Sequence, residues 1–232
     1  MNNQYKNILI TGANSGLGSI ISDKLIKLGH TVIATSRKYE WMQYNLLSQN
    51  MLCKQYVDVT SEKSINQLFA WLKSLNISVD VLINNAGVGI FKPFTETTLD
   101  EWNIVIQTNL TGAFLCAREA YKSMQTAGGR IINIGSIAEK IPLANNVAYG
   151  ASKNGLKALS AILNEEGKTQ KIRSTHITLG ATYTDIWKTR PEFNKENMLN
   201  PELVADYISY IALLPLEIRI DNIEILPEKG VL

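Results

Sequence analysis

The chain has 232 residues, 45% of them apolar and 19% charged, and a formal net charge of +2. That length suits one well-buried domain, and so small a charge argues against a nucleic-acid or anionic-membrane partner. The sequence has no apolar run of roughly 18 residues or more, no signal-peptide pattern in MNNQYKNILITG, and only two cysteines, Cys53 and Cys116, in unrelated contexts. A membrane span, a secretory leader, a disulfide framework and a metal site are therefore not expected, and a cytoplasmic protein is.

Short apolar runs alternate with longer segments of helical period. Residues 6–12 (KNILITG) read as a buried strand, followed by a helix over 17–29 that closes on Gly29, a residue suited to a C-cap. Residues 30–36 (HTVIATS) form a second strand, 40–50 a short helix and 51–59 (MLCKQYVDV) a third strand. Ser61 is placed to cap a helix over 61–76, on which Ile65, Leu68, Phe69 and Leu72 share one face. A fourth strand, 79–87 (VDVLINNAG), runs into a turn before a long helical stretch over 99–125. The fifth strand covers 128–136 (GGRIINIGS), and a helix over 148–167 leads to the sixth at 172–180 (IRSTHITLG). A loop near 184–200, a helix over 201–214 and a last strand at 221–227 finish the chain. Strands that are apolar throughout are buried on both faces, and helices between them provide right-handed crossovers. The pattern predicts an α/β fold: one domain over 1–232, with a doubly wound, mostly parallel seven-stranded sheet and helices on both faces.

The turn between the first strand and first helix reads TGANSGLG. In open α/β sheets this is where a phosphate meets the free N–H groups and positive dipole end of a helix. Gly12 permits the tight turn, Gly16 leaves room for a pyrophosphate, and Gly18 lets the helix pack close; Asn14, Ser15 and Leu17 complete the turn. The spacing, Gly-x-x-x-Gly-x-Gly, differs from the common dinucleotide fingerprint. The end of the second strand, VIATSRK, carries no Asp or Glu to hold a ribose 2′-hydroxyl. Ser36, Arg37 and Lys38 stand there instead, and Arg37 suits a 2′-phosphate, which favours NADP over NAD.

Tyr149 and Lys153 in AYGASKNG are four apart, so a helix puts them on one face. The spacing alone is weak, since nine tyrosines and 17 lysines placed at random would give about 0.7 such pairs. Its chemical sense is that a nearby ammonium favours the phenolate and brings a phenol that titrates near 10 closer to working pH.

Taken together, these motifs resemble those of the classical short-chain dehydrogenase/reductase family, in the family's order and over nearly the whole chain. TGANSGLG is similar to the family's cofactor turn, and DVT, with Asp58 and Val59, to the strand-three motif whose carboxylate receives the adenine amino group. NNAG, with Asn85, Ala86 and Gly87, resembles the motif that stabilises the sheet and lines the cofactor. Asn109 matches the helix asparagine, and Ser136, 13 residues before Tyr149, the serine after strand five. The resemblance implies a Rossmann fold and hydride transfer between a nicotinamide and a carbonyl or secondary alcohol. It makes Tyr149 the general acid/base, with Lys153 tuning it and binding the nicotinamide ribose. Ser136 would hold and polarise the substrate oxygen, and Asn109 would hold a water that links Lys153 to solvent. After strand six the family usually has Pro-Gly and a threonine that meets the nicotinamide carboxamide. Here LGATYTD has Leu179 for the proline, while Gly180 and Thr184 match, and Thr182 is a further cofactor-binding candidate. The family's usual C-terminal Asp-Gly-Gly segment is absent, so a homodimer through the long helices is as well supported as a homotetramer.

Substrate-facing candidates are Ser136, Tyr149, Ala138, Asn145 and Trp187, with Val88, Ile90, Phe91 and Ile141 as further wall residues. Lys188 and Arg190 are the cations nearest in sequence to that loop. Two other readings compete. A non-catalytic NAD(P)-sensing regulator of the same fold usually lacks the Tyr or Lys. A sugar-nucleotide epimerase needs a further substrate domain, for which about 50 residues after Gly180 are too few.

Overall fold

The computed structural model describes residues 5–38, 52–184 and 194–230. The predicted helix over 40–50 lies outside them. Seven strands form one sheet: β1 (Asn7–Ile10), β2 (Thr31–Ser36), β3 (Leu52–Tyr56), β4 (Val81–Asn84), β5 (Gly129–Ile134), β6 (Ile172–Leu179) and β7 (Asn222–Ile225). Their order is β3-β2-β1-β4-β5-β6-β7, and every pair is parallel. The sequence pattern allowed an antiparallel strand; none occurs among the described residues.

Among the described residues six α-helices lie between strands: α1 (Gly16–Lys27), α2 (Glu62–Ser74), α3 (Leu99–Ile106), α4 (Gly112–Met124), α5 (Val147–Glu166) and α6 (Pro201–Leu213). Side-chain alternation along the strands feeds two separate cores. Ile8, Ile10, Val32, Ile132 and Ile177 point to one face and pack with Ile21 and Leu25 of α1 and Ile208 of α6. Leu9, Ile33, Leu82 and Ile131 point to the other and meet Leu68 and Leu72 of α2, Leu115 of α4 and Leu163 of α5. Local signals set the helix ends. The Ser61 side chain accepts from the Ser64 N–H, Thr98 and Glu101 form a reciprocal capping box, and Asn200 caps α6 ahead of Pro201.

The stretch predicted as one helix over 99–125 is α3 and α4 joined by a π-helical turn at Gln107–Thr111. The extra residue leaves the helical pattern unbroken on either side, and such turns gather at functional sites. Strand order reverses between β1 and β4, and the crevice beyond their carboxyl ends opens there.

Candidate active site

The glycine turn is held from β4. Thr11 Oγ1 accepts from the N–H groups of Asn85 and Ala86 at 3.1 and 3.0 Å, and Asn85 Nδ2 returns to the Thr11 and Gly12 carbonyls at 2.9 and 3.0 Å. Gly12 has φ +65°, and a Cβ there would lie 2.8 Å from Ala86 Cα. At Gly18 a Cβ would meet Asn85 Nδ2 at 2.5 Å, so this glycine gives its space to the asparagine. Ser15 stands at the N-cap of α1 without capping it by its side chain, which leaves the first amides of the helix facing the crevice.

Beside this turn, Ser36 Oγ donates to Asn14 Oδ1 at 2.8 Å and accepts from the Lys38 N–H at 3.1 Å. Ser36 thus fixes the strand end, while Arg37 and Lys38 are exposed at the cavity rim. Asp58 Oδ1 takes the N–H and hydroxyl of Thr60 at 3.0 and 2.8 Å; its neighbours Val57 and Val59 line the cavity, and Asp58 itself does not.

One cavity of about 1390 Å³ runs from the glycine turn and Arg37 to Ser136, Tyr149 and Lys153. Tyr149 shares a hydrogen bond with Ser136, and its ring lies against Phe91, with centroids 5.6 Å apart. The ammonium of Lys153 is buried, donates to the Ile134 carbonyl at 2.7 Å and stands 5.5 Å from the Tyr149 ring centroid. Burial pushes the Tyr149 phenol up from its ordinary value; the Ser136 hydrogen bond opposes this, and the charge of Glu139 adds to it. Burial lowers Lys153 to about 8, and Glu139 partly restores it. This differs from the expectation that the ammonium would draw the phenol down. The spacing of four aligned the two side chains, but loss of water is the larger effect on both.

Asn109 lies in the π turn, where its side chain is spent on backbone. Oδ1 accepts from the Val88 N–H at 2.8 Å, and Nδ2 donates to the Val88 carbonyl at 2.9 Å and to Ser152 Oγ at 3.0 Å. Its side chain therefore clamps the segment after β4.

Beyond β6, Thr182 and Thr184 line the cavity, and Thr184 packs against Gly16. Gly180 also lines it, and a Cβ there would lie 2.5 Å from Pro227 Cδ, so its lack of a side chain serves the chain after β7. The Leu199 N–H donates to the Ala181 carbonyl at 2.8 Å, and the Tyr183 N–H to the Leu199 carbonyl at 3.1 Å, which pins the two ends of the loop together. Val88, Phe91, Ala138 and Asn145 line the cavity; Ile90 and Ile141 do not. Asn145 has φ 62°, and its carbonyl accepts from the Lys92 N–H at 3.0 Å. Trp187, Lys188 and Arg190 lie outside the described residues. Glu139 joins the site from behind Ser136; the one sequence signal for it is Ser-x-x-Glu over 136–139, a capping-box spacing.

The sequence pattern of the family described as short chain dehydrogenase matches residues 6–195. The chain belongs to this family. Among its members, the NADP-dependent 3-hydroxy acid dehydrogenase YdfG of Salmonella typhi is 30% identical over 234 residues, covering 95% of this chain and 94% of that one. The closed form of serine dehydrogenase complexed with NADP+ superposes with a TM-score of 0.87 at 30% identity, over 97% of this chain and 96% of that one. A 4-hydroxyisoleucine dehydrogenase complexed with NADH gives 0.81 at 26% identity, over 96% and 97%.

Proposed function

We propose that this chain is an NADP-dependent oxidoreductase that transfers a hydride between the nicotinamide and a carbonyl or secondary alcohol of a small molecule, with Tyr149 as the acid/base. The observation that carries the reading is the single cavity that joins the uncapped amides of α1 to the hydrogen-bonded pair Ser136–Tyr149, with Lys153 beneath it. The left-handed Gly12 and Gly16 and the open start of α1 fit a pyrophosphate, and exposed Arg37 fits a 2′-phosphate. The relatives named for NADP support this choice over NAD.

The bound dinucleotide supplies the hydride. Ser136 orients the substrate oxygen and stabilises its developing charge. Tyr149 gives that oxygen a proton in reduction and takes it in oxidation; burial holds the phenol above its ordinary value, so it carries its proton at neutral pH. Lys153, held by Ile134, places a cation beneath the phenol and beside Gly87. Val59, Asn85, Ala86 and Gly87 form the walls of the nucleotide side, with Asp58 behind Val59 as the carboxylate for the adenine amino group, and Gly180, Thr182 and Thr184 close the nicotinamide end. Ala138 and Asn145 shape the substrate side.

We read the protein as a cytoplasmic homodimer or homotetramer. No described helix is long and apolar enough to cross a membrane. Exposed Ile104, Phe114 and Ile162 on α3, α4 and α5 support association through the long helices. Light scattering that returned the mass of a single chain would refute the oligomer. The activity is tested by following NADPH and NADH consumption against a panel of ketones and aldehydes, and NADP+ reduction against hydroxy acids and secondary alcohols. Turnover that Tyr149→Phe abolishes supports the reading, and turnover that survives it overturns the assignment.

A further inference from the structure

A buried carboxylate sits directly behind Ser136. Glu139 ends the short 3-10 turn Ile137–Glu139 that Ser136 caps, and its Oε2 accepts from the Ser136 N–H at 3.2 Å, while Ser136 Oγ accepts from the Ala138 N–H at 3.3 Å. A capping-box glutamate normally faces water. This one is 7% exposed and takes two further partners from β6: His176 Nε2 at 2.8 Å on Oε2, and the Thr178 hydroxyl at 2.5 Å on Oε1. His176 and Thr178 are two apart on the strand, so both face the same side. His176 is fully buried, and its Nδ1 has no partner among the described residues, so the tautomer with its proton on Nε2 serves Glu139.

The surroundings fit this cluster closely. At Gly135 a Cβ would lie 2.3 Å from His176 Nε2 and 2.7 Å from Glu139 Oε2, so the residue before Ser136 has no side chain because the pair fills its space. From α5, Tyr149 and Lys153 both feel the Glu139 charge, which raises each of them. The next residue, Lys140, pairs outward with Glu224 of β7. The hydrogen bonds from His176 and Thr178 keep Glu139 below the usual carboxylate range against the opposing, larger single effect of burial. One buried anion thus touches the backbone of the residue that faces the substrate and faces the two ionisable groups beside it.

We propose that Glu139, locked by His176 and Thr178, is a positioning residue for the hydride-transfer reaction: it fixes the Ser136 backbone so that the serine hydroxyl and the Tyr149 phenol converge on one substrate oxygen. The proposal rests on the reading of Ser136 and Tyr149 as the reacting pair. A misplacement of about 1 Å at such a site costs about 100-fold in rate.

The test uses the full chain with NADPH and 4-nitrobenzaldehyde as probes. Glu139→Ala is expected to lower kcat by about 100-fold while the NADPH Kd stays within about twofold, because the nucleotide contacts lie elsewhere. Glu139→Gln keeps an acceptor for the Ser136 N–H and drops the charge. It is expected to recover most of kcat and to move the Tyr149 titration to lower pH, read as the tyrosinate absorbance difference between each protein and its Tyr149→Phe counterpart. That absorbance readout needs no substrate, and Glu139→Gln serves if Glu139→Ala does not fold. Wild-type kcat in Glu139→Ala, an unmoved titration in Glu139→Gln, or parallel losses of kcat and NADPH affinity would overturn the proposal. If Tyr149→Phe stays active, the underlying reading fails; if it is inactive and the Glu139 variants behave as wild type, only this inference fails.

Discussion

Lys153 commits its ammonium to the end of a strand: Nζ donates to the carbonyl of Ile134 at 2.7 Å. Burial lowers the lysine from 10.5 to about 8, against the charge of Glu139, which raises it. Below pH 8 the folded and unfolded chains both carry the proton, and the folded state bears the full cost of the buried charge, on the order of 3 kcal/mol. Between about 8 and 10.5 only the unfolded chain stays protonated, so this contribution to stability rises with pH and is complete above 10.5. Lys153→Met is accordingly expected to raise the melting temperature at pH 7, to lose that advantage toward pH 10, and to abolish turnover. Calorimetry of both proteins across this range checks it; a variant less stable than wild type at pH 7 would contradict it.

Tyr149→Phe removes one hydroxyl and keeps the ring that packs against Phe91. Turnover should fall by about 1000-fold or more, given the contribution of a positioned acid/base. NADPH affinity, measured by fluorescence titration, should change by less than about twofold. For the wild type, oxidation needs the phenolate and should increase as pH rises, whereas reduction should hold through neutral pH, because the phenol lies above its ordinary value.

Arg37 is exposed beside Ser36, whose hydroxyl is already engaged by Asn14 and Lys38. The side chains of Arg37 and Lys38 are therefore the groups left for a 2′-phosphate, and the guanidinium is the one that can meet it with a planar fork. Arg37→Ala should weaken NADPH binding by about 10- to 100-fold, the worth of a charge-assisted hydrogen bond, and leave NADH unchanged. Equal losses for both cofactors would show that Arg37 does not read that phosphate.

Arg130 opens β5 at the end of the sheet far from the site. It is 1% exposed, and its Nη2 donates to the carbonyls of Pro215 at 3.1 Å and Ile218 at 3.0 Å. Burial and the nearby Arg173 lower it to about 10. Arg130→Met keeps the stem but strands those carbonyls, and should cost about 2 kcal/mol in urea unfolding while kcat is unchanged. A stable variant with impaired kcat would mean that this end of the sheet communicates with the other.

The sequence displays the fold because buried parallel strands carry short apolar runs such as ILI at 8–10 and VLI at 81–83, set between segments of helical period. It displays the glycine turn and the Tyr149–Lys153 alignment because each depends on neighbours a few residues away. Depth is not written in this way. The spacing of four says that Lys153 shares a face with Tyr149 and says nothing of how much water the fold leaves it. The π turn at Asn109 is hidden because one added residue keeps both flanking apolar patterns intact. The meeting of Glu139 with His176 joins residues 37 apart that no local pattern connects.

The hydrogen bonds between Ala181, Tyr183 and Leu199 clasp the chain that follows β6 to the chain that leads into α6. Thr184 against Gly16 keeps the nucleotide grip on the near side of that clasp. Together they tie the chain after β6 to the glycine turn on one side and to the approach to α6 on the other, so a substitution at any one of the three is felt at the others.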